Sequence, residues 1–159
     1  MRWLEKVMSS DQGKNPLSRT GLLASLTPGE LGIVQSFLHE RSFMPGEVIF
    51  DQGEEGQALY FVLSGRVLIC LPGQQSKPIA ELSQGSFFGE LALLDNWPRS
   101  AQAGAGAETQ LAVLFRGDFE RLMESHARIA SKISMQLARH LGLRLRDMLE
   151  RQKSASPEL

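Results

Sequence analysis

Cysteine is almost absent from this chain of 159 residues, in which Cys70 has no second thiol to pair with. A single cysteine excludes an internal disulfide bond and any zinc or iron–sulfur site built from several cysteines, and it is typical of a reducing compartment. The sequence also has no apolar run near the roughly 18 residues of a membrane-spanning helix, and Met1–Ser10 lacks the features of a secretory signal. We therefore expect a cytoplasmic protein with Cys70 as a small core residue.

Net charge is nearly absent as well. The formal charge is −1, with 42% hydrophobic and 22% charged residues, as in an ordinary globular protein with one core. This total hides an asymmetry, because Glu40–Glu90 is mainly acidic whereas Arg128–Lys153 is mainly basic. A basic segment suits nucleic acid or an acidic partner, but on a helix it is more commonly a solvated face.

Glycines divide the middle of the chain into short segments rich in Val, Ile, Leu, Phe and Tyr. These segments are too short for helices and recur at the regular spacing of an antiparallel β protein. The predicted strands are Glu47–Phe50, Ala58–Leu63, Arg66–Leu71, Ile79–Leu82, Ser100–Ala105 and Gln110–Phe115. We expect a mainly β fold of the sandwich, jelly-roll or barrel type.

Helices are predicted on both sides of this β block. Thr27 and Glu30 form a capping-box pattern with Pro28 at the first helical position, which predicts a helix through about Glu40. Downstream, the patterns predict a short helix at Asp118–Glu124 and a long one at Ile129–Arg151.

The long helix carries leucine or isoleucine at every fourth position from residue 133 to residue 149. A four-residue step advances by about 40° around a helix, so this stripe winds slowly and can face two partners. One partner is the β core of the chain itself. The other is a second copy or another protein, although the coiled-coil repeat is imperfect, with Ser134, Leu141 and Met148 at one position.

The most informative local pattern is Phe88-Gly89-Glu90-Leu91-Ala92-Leu93-Leu94, followed by Pro98-Arg99-Ser100-Ala101. A glycine that leads from a strand into one helical turn exposes backbone N–H groups at about residues 90–92 to an anion. Arg99 supplies a planar fork for two oxygens, and Ser100 adds a hydroxyl donor. Glu90 only accepts hydrogen bonds when ionised, which suits a sugar hydroxyl rather than a phosphate.

One arginine suits one phosphate, and the sequence has no G-x-x-x-x-G-K-[ST] loop for a triphosphate. Gly104-Ala105-Gly106 begins a G-x-G pattern but lies between two predicted strands, so we interpret it as a turn. The pattern at residues 88–101 therefore predicts a site for a monoanion that carries a ribose.

From about Gly21 to Arg151 the chain resembles the cyclic nucleotide-binding domain. This module occurs in the bacterial catabolite activator protein, in the regulatory subunits of cyclic AMP-dependent protein kinase and in cyclic nucleotide-gated channels. The resemblance rests on the two segments just quoted and on the upstream glycines in Asp51-Gln52-Gly53-Glu54 and Leu63-Ser64-Gly65-Arg66-Val67. It implies an antiparallel β-roll with N-terminal helices and a long C-terminal helix.

The resemblance also implies domain limits, namely an N-terminal helix and linker over 1–16, the binding domain over 17–153 and a disordered tail over 154–159. Within the domain, the roll is expected over about 42–115 and the C-terminal helices over about 117–153. Arg2–Met8 is predicted as the N-terminal helix and Ser9–Pro16 as the linker.

A 3′,5′-cyclic nucleotide, cAMP or cGMP, is the ligand that the resemblance implies. Arg99 is then expected at the exocyclic phosphate oxygens, Glu90 at the ribose 2′-hydroxyl, and Gly89 and Ala92 as backbone contacts. Ser100 follows the bacterial pattern, and a hydroxyl there goes with tolerance of cGMP. The remaining expected ligand contacts are Phe88, Leu91, Ile69 and Ile79, of which the two isoleucines are candidates for the apolar wall against the base.

Arg144 departs from the family pattern, because it falls where the catabolite activator protein uses a threonine against adenine. Two interpretations stay open: Arg144 lies flat on the purine as a lid, or it is a helix arginine that faces solvent.

Only eight residues follow Arg151, which leaves no room for the DNA reader of the activator proteins. The chain is therefore expected to be a sensor that binds a nucleotide, is not an enzyme, and acts through an effector protein or a second copy by movement of its long helix.

Two alternatives compete with this interpretation. A metal-dependent enzyme of the cupin type needs clustered histidines, whereas His126 and His140, if they lie on one helix, are about 21 Å apart, and His39 is predicted at a helix end. No metal or other cofactor is therefore expected. A structural interaction module with the same fold and no ligand is the second alternative, and the intact Glu90, Arg99 and Ser100 weigh against it.

Overall fold

The computed structural model describes residues 15–156, whose strands form two four-stranded antiparallel sheets. The first sheet has the order β1-β8-β3-β6 and the second has the order β2-β7-β4-β5. The strands are β1 His39–Phe43, β2 Val48–Phe50, β3 Ala58–Ser64, β4 Val67–Cys70, β5 Ala80–Leu82, β6 Phe87–Phe88, β7 Gln102–Ala105 and β8 Thr109–Phe115. The helices are α1 Pro28–Gln35, α2 Arg116–Ser125 and α3 Ala127–Ala155, with short 3-10 helices at Pro16–Arg19 and Glu90–Leu93. The predicted fold class is confirmed.

Strand β3 is the centre of the core because both of its faces are buried. Leu59, Phe61 and Leu63 pack into a cluster with the helices, whereas Val62 points into a second cluster between the two sheets. This alternation follows from the two-residue period of a strand. The roll therefore lies between the helical layer on one side and the second sheet on the other.

Helix α1 begins as predicted but is shorter than predicted. The Thr27 hydroxyl accepts from the Glu30 backbone N–H at 3.2 Å, and the Glu30 carboxylate accepts from the Thr27 N–H at 3.0 Å, which confirms the capping box. The helix ends at Gln35, so its prediction through Glu40 is wrong. The polar segment from His39 instead forms strand β1, which pairs with β8 and places Glu40 opposite Ala112.

The two C-terminal helices are each slightly longer than predicted. The stripe of α3 divides as expected, because Ile133 and Leu137 are buried against the roll whereas Leu145 and Leu149 are exposed. The helix continues through Ala155, past the predicted start of a tail at residue 154.

The other sequence predictions have mixed outcomes. Cys70 is buried in β4, as predicted. Gly104 and Ala105 lie in β7, so the G-x-G pattern opens no helix. Arg2–Met8 and most of Ser9–Pro16 lie outside the described residues, but Pro16 already begins a 3-10 helix and is buried. In the described part of the chain, no helix is long and apolar enough to cross a membrane.

Glu30 also joins α1 to α3. Its carboxylate accepts a hydrogen bond from Lys132 Nζ at 2.7 Å. This bond and the one from the Thr27 backbone hold the pKa of Glu30 at about 2, below its ordinary value of 4.5. Because the folded pKa is depressed, the contribution of Glu30 to stability is complete above pH 4.5 and is lost as the pH falls towards 2.

Replacing Glu30 by glutamine tests this linkage. We expect Glu30→Gln to melt at a lower temperature than the wild type at pH 7, and the difference between the two to shrink as the pH falls from 4.5 towards 2. Circular dichroism melts over this range measure the difference. Glu124→Gln, on an exposed position of α2, is the matched control. If the difference in melting temperature between the wild type and Glu30→Gln stays constant with pH, the low pKa of Glu30 is contradicted.

Candidate functional site

One cavity of about 680 Å³ is lined by all of the ligand contacts that the sequence predicts. It lies between the second sheet, the segment from β6 to Ala101, and α3. Its lining includes Ile69, Ile79, Phe88, Gly89, Glu90, Leu91, Ala92, Arg99, Ser100 and Arg144. Their placement around one space is a finding, and their contact with a ligand stays a prediction.

The floor of the cavity is the turn that Gly89 begins. Gly89 has a φ of +73°, in the left-handed region, and the 3-10 helix Glu90–Leu93 follows it directly. The Ala92 N–H donates to the Gly89 carbonyl at 3.2 Å. The N–H of Ala92 is therefore hydrogen-bonded within the turn, and its contact with a ligand stays a prediction.

Arg99 points into the protein beneath this turn. Its Nη1 donates to the Gly89 carbonyl at 3.2 Å, and its Nη2 donates to the Ala58 carbonyl at 2.8 Å. The guanidinium carbon lies 4.2 Å from the centre of the Phe50 ring, a cation–π contact. Burial lowers the pKa of Arg99, with the nearby Tyr60, Glu54 and Glu90 acting in the opposite direction. A half-buried, charged guanidinium thus lines the cavity.

Gly89 and Arg99 are mutually constrained. A Cβ on residue 89 would lie 2.6 Å from Arg99 Nη1, which is closer than a non-bonded contact allows. A side chain there would also have to adopt the left-handed backbone conformation, which costs about 1–2 kcal/mol. Only glycine fits both requirements.

We expect Gly89→Ala to lower the melting temperature by several degrees, because about 1 kcal/mol corresponds to roughly 3 °C in a domain of this size. Gly32→Ala is the control, since an added Cβ in this exposed position of α1 meets nothing within 4 Å. Alanine there should stabilise the protein by about 0.5–1 kcal/mol. An unchanged melting temperature for Gly89→Ala would show that the turn does not depend on glycine.

Glu90 is the buried anionic group of the cavity, with 5% of its surface exposed. Its Oε1 accepts a hydrogen bond from Arg144 Nη1 at 2.6 Å and lies 3.4 Å from His140 Nε2. Arg144 therefore bonds to Glu90, an arrangement that neither interpretation of this arginine included. The contact joins residues 54 positions apart in the sequence.

The far wall of the cavity is apolar. Ile69 and Ile79 are joined by a hydrogen bond from the Ile79 N–H to the Ile69 carbonyl at 2.8 Å, although β5 itself begins only at Ala80. Ile79 is 57% exposed at the cavity edge. Phe88 is buried and stacks on Tyr60, with ring centres 5.0 Å apart, so it mainly supports the turn from below.

Several lining residues were not predicted from the sequence as ligand contacts, among them Phe50, Phe87 and His140. His140 precedes Arg144 by four positions and so lies on the same face of α3, which is a signal that could have identified it. Phe87 contacts the His140 ring with centres 4.7 Å apart. Trp97 also lines the cavity, although 77% of its surface is exposed, and it lies two positions before Arg99.

The histidines are separated. His39 lies in β1 rather than at a helix end, and its Nε2 is 2.9 Å from Asp118 Oδ2, while Asp118 also pairs with Arg121. His126 caps α3 at its start. Within residues 15–156, no group of three or more His, Cys, Asp and Glu side chains is placed to hold a metal ion.

These features fit one kind of ligand. The cavity pairs a half-buried cation with a buried carboxylate and has an apolar wall, which suits a small anion that also carries a hydroxyl group and a flat apolar part.

Comparison with known proteins gives consistent matches. The family model "Cyclic nucleotide-binding domain" matches residues 40–126. A cyclic AMP receptor protein of Thermus thermophilus is 39% identical over 76% of this chain and 56% of its own length. A cAMP-dependent protein kinase regulatory subunit of Hypocrea atroviridis is 34% identical over 69% of this chain and 23% of its own.

Solved structures agree with the sequence matches. The crystal structure of the Thermus thermophilus catabolite activator protein superposes with a TM-score of 0.75 at 38% identity, over 84% of this chain and 62% of that one. The chain spans 56% and 23% of the lengths of the two curated relatives named above. Because the family model covers more than half of its residues, the chain belongs to the cyclic nucleotide-binding domain family.

Proposed function

We propose that this domain is a sensor that binds a 3′,5′-cyclic nucleotide in the cavity at residues 88–101. The observation that carries the proposal is the half-buried Arg99 guanidinium, held by two backbone carbonyls, in the lining of a cavity that also contains the buried Glu90 carboxylate. A cyclic phosphate carries one negative charge, so one arginine balances it. The names of two relatives refer to cyclic AMP, which favours cAMP as the first ligand to test.

Each site residue has a role in this proposal. Arg99 binds the exocyclic phosphate oxygens, and Glu90 accepts a hydrogen bond from the ribose 2′-hydroxyl. Gly89 allows close approach to the turn, and Ser100 adds a hydroxyl that also makes cGMP a candidate ligand. Ile69 and Ile79 contact the base.

The output of the sensor is proposed to be a movement of α3. Beyond the cavity, this helix exposes apolar side chains at Leu143, Leu145, Met148 and Leu149. A ligand that changes how α3 contacts the roll also changes which of these side chains an effector protein or a second copy can reach. The proposed activity is binding and signalling without catalysis.

Calorimetric titration with cAMP and cGMP tests the binding proposal. We expect the wild type to bind at least one nucleotide and Arg99→Ala to bind it about 10- to 100-fold more weakly, because a charge-assisted contact worth about 1.5–3 kcal/mol is lost. Arg99→Lys keeps the charge without the planar fork and should fall between the two. Arg139→Ala, at an exposed position of α3, is the control and should bind like the wild type.

The outcomes separate the alternatives. Arg99 also holds the Ala58 and Gly89 carbonyls, so a circular dichroism melt must first show that each variant is folded. Binding by the wild type, together with weaker binding by folded Arg99→Lys and still weaker binding by folded Arg99→Ala, supports the sensor. A wild type that binds neither nucleotide would leave a structural interaction module, and metal-dependent turnover would indicate an enzyme.

A further inference from the structure

The two oxygens of the Glu90 carboxylate are in different situations. Oε1 accepts the 2.6 Å hydrogen bond from Arg144 and lies 3.4 Å from His140 Nε2. Oε2 accepts no hydrogen bond from any residue in the range 15–156. Because Glu90 lines the cavity, Oε2 is the carboxylate oxygen that a ligand can reach.

The groups at Oε1 come from a single face of α3. His140 and Arg144 are four residues apart, which places them one above the other on the helix. The His140 ring is fixed against Phe87, three residues before Glu90, with ring centres 4.7 Å apart. These contacts therefore fix the position of α3 relative to the turn that carries Glu90.

This contact lies where α3 leaves the roll. Leu137, one turn before His140, is 3% exposed, whereas Leu143 and Leu145 are 60% and 57% exposed. Past residue 141, the Arg144–Glu90 pair is the one ion pair between α3 and the roll among the described residues. The carboxylate that faces the cavity is therefore also the anchor of the distal half of α3.

We propose that Arg144 is a positioning residue, which holds Glu90 Oε1 so that Oε2 points at the ribose 2′-hydroxyl. The inference rests on the proposed function, and it replaces a direct contact of Arg144 with the base by an action through Glu90. A carboxylate held at one oxygen loses less rotational freedom when its other oxygen accepts a bond. Nucleotide binding and docking of α3 then strengthen each other, because both use the same carboxylate.

The test compares cAMP with 2′-deoxy-cAMP, which lacks the hydroxyl that Glu90 would accept. Wild type, Arg144→Met and Arg144→Lys are titrated with both nucleotides in a calorimeter. Methionine keeps the length and helix propensity of the side chain but removes the donors. Arg146→Met is the matched control, since Arg146 is exposed on the same helix.

We expect Arg144→Met to reduce the preference for cAMP over the deoxy analogue by about three- to tenfold, the range of a partly exposed charged contact. Its affinity for 2′-deoxy-cAMP should stay within about twofold of the wild type. Arg144→Lys should restore part of the preference, and Arg146→Met should retain all of it.

Other results overturn the inference. If Arg144→Met loses affinity equally for cAMP and 2′-deoxy-cAMP, Arg144 acts on the base or on helix packing. If Arg144→Met binds cAMP more tightly than the wild type does, Arg144 competes with the ribose for Glu90. Both results leave the sensor proposal intact, since the wild type still binds. If the wild type binds neither nucleotide, the proposed function fails and this inference fails with it.

Discussion

The site depends on the contacts of the half-buried Arg99 guanidinium with the protein. The guanidinium stacks on Phe50 of β2, donates to the Ala58 carbonyl at the start of β3, and donates to the Gly89 carbonyl at the turn. One side chain thus connects strands of both sheets to the segment that forms the cavity floor. These contacts already orient the charge, so an anion that binds there meets a group that needs little reorganisation.

A carboxylate completes the site and links it to the rest of the molecule. Glu90 immediately follows Gly89, so the turn that Arg99 holds also fixes the position of Glu90. Arg144 reaches Glu90 from α3, which passes beside the cavity and then leaves the roll. A chain of contacts therefore runs from Arg99 through the turn to Glu90 and on to the exposed apolar face of α3. A ligand at residues 88–101 would act at the centre of this series of contacts.

Much of the site could be predicted from the sequence because its chemistry is local. The glycine, the glutamate and the arginine lie within eleven consecutive positions, and the capping box of α1 spans four. Contacts that depend on tertiary packing could not be predicted in this way. The polar strand β1 has no alternation to reveal it and forms through its ladder with β8, and the bond between Glu90 and Arg144 joins distant segments. Helix periodicity indicated that the apolar stripe of α3 faces two partners, but not which half is buried or which groups its charged residues meet.

A crystal structure of the chain grown with cAMP would show whether the cavity at residues 88–101 is the nucleotide site. We expect the phosphate within hydrogen-bond distance of the Arg99 guanidinium and the ribose 2′-hydroxyl within hydrogen-bond distance of Glu90. A nucleotide bound elsewhere on the domain, or seated in this cavity with its phosphate away from Arg99, would contradict this prediction.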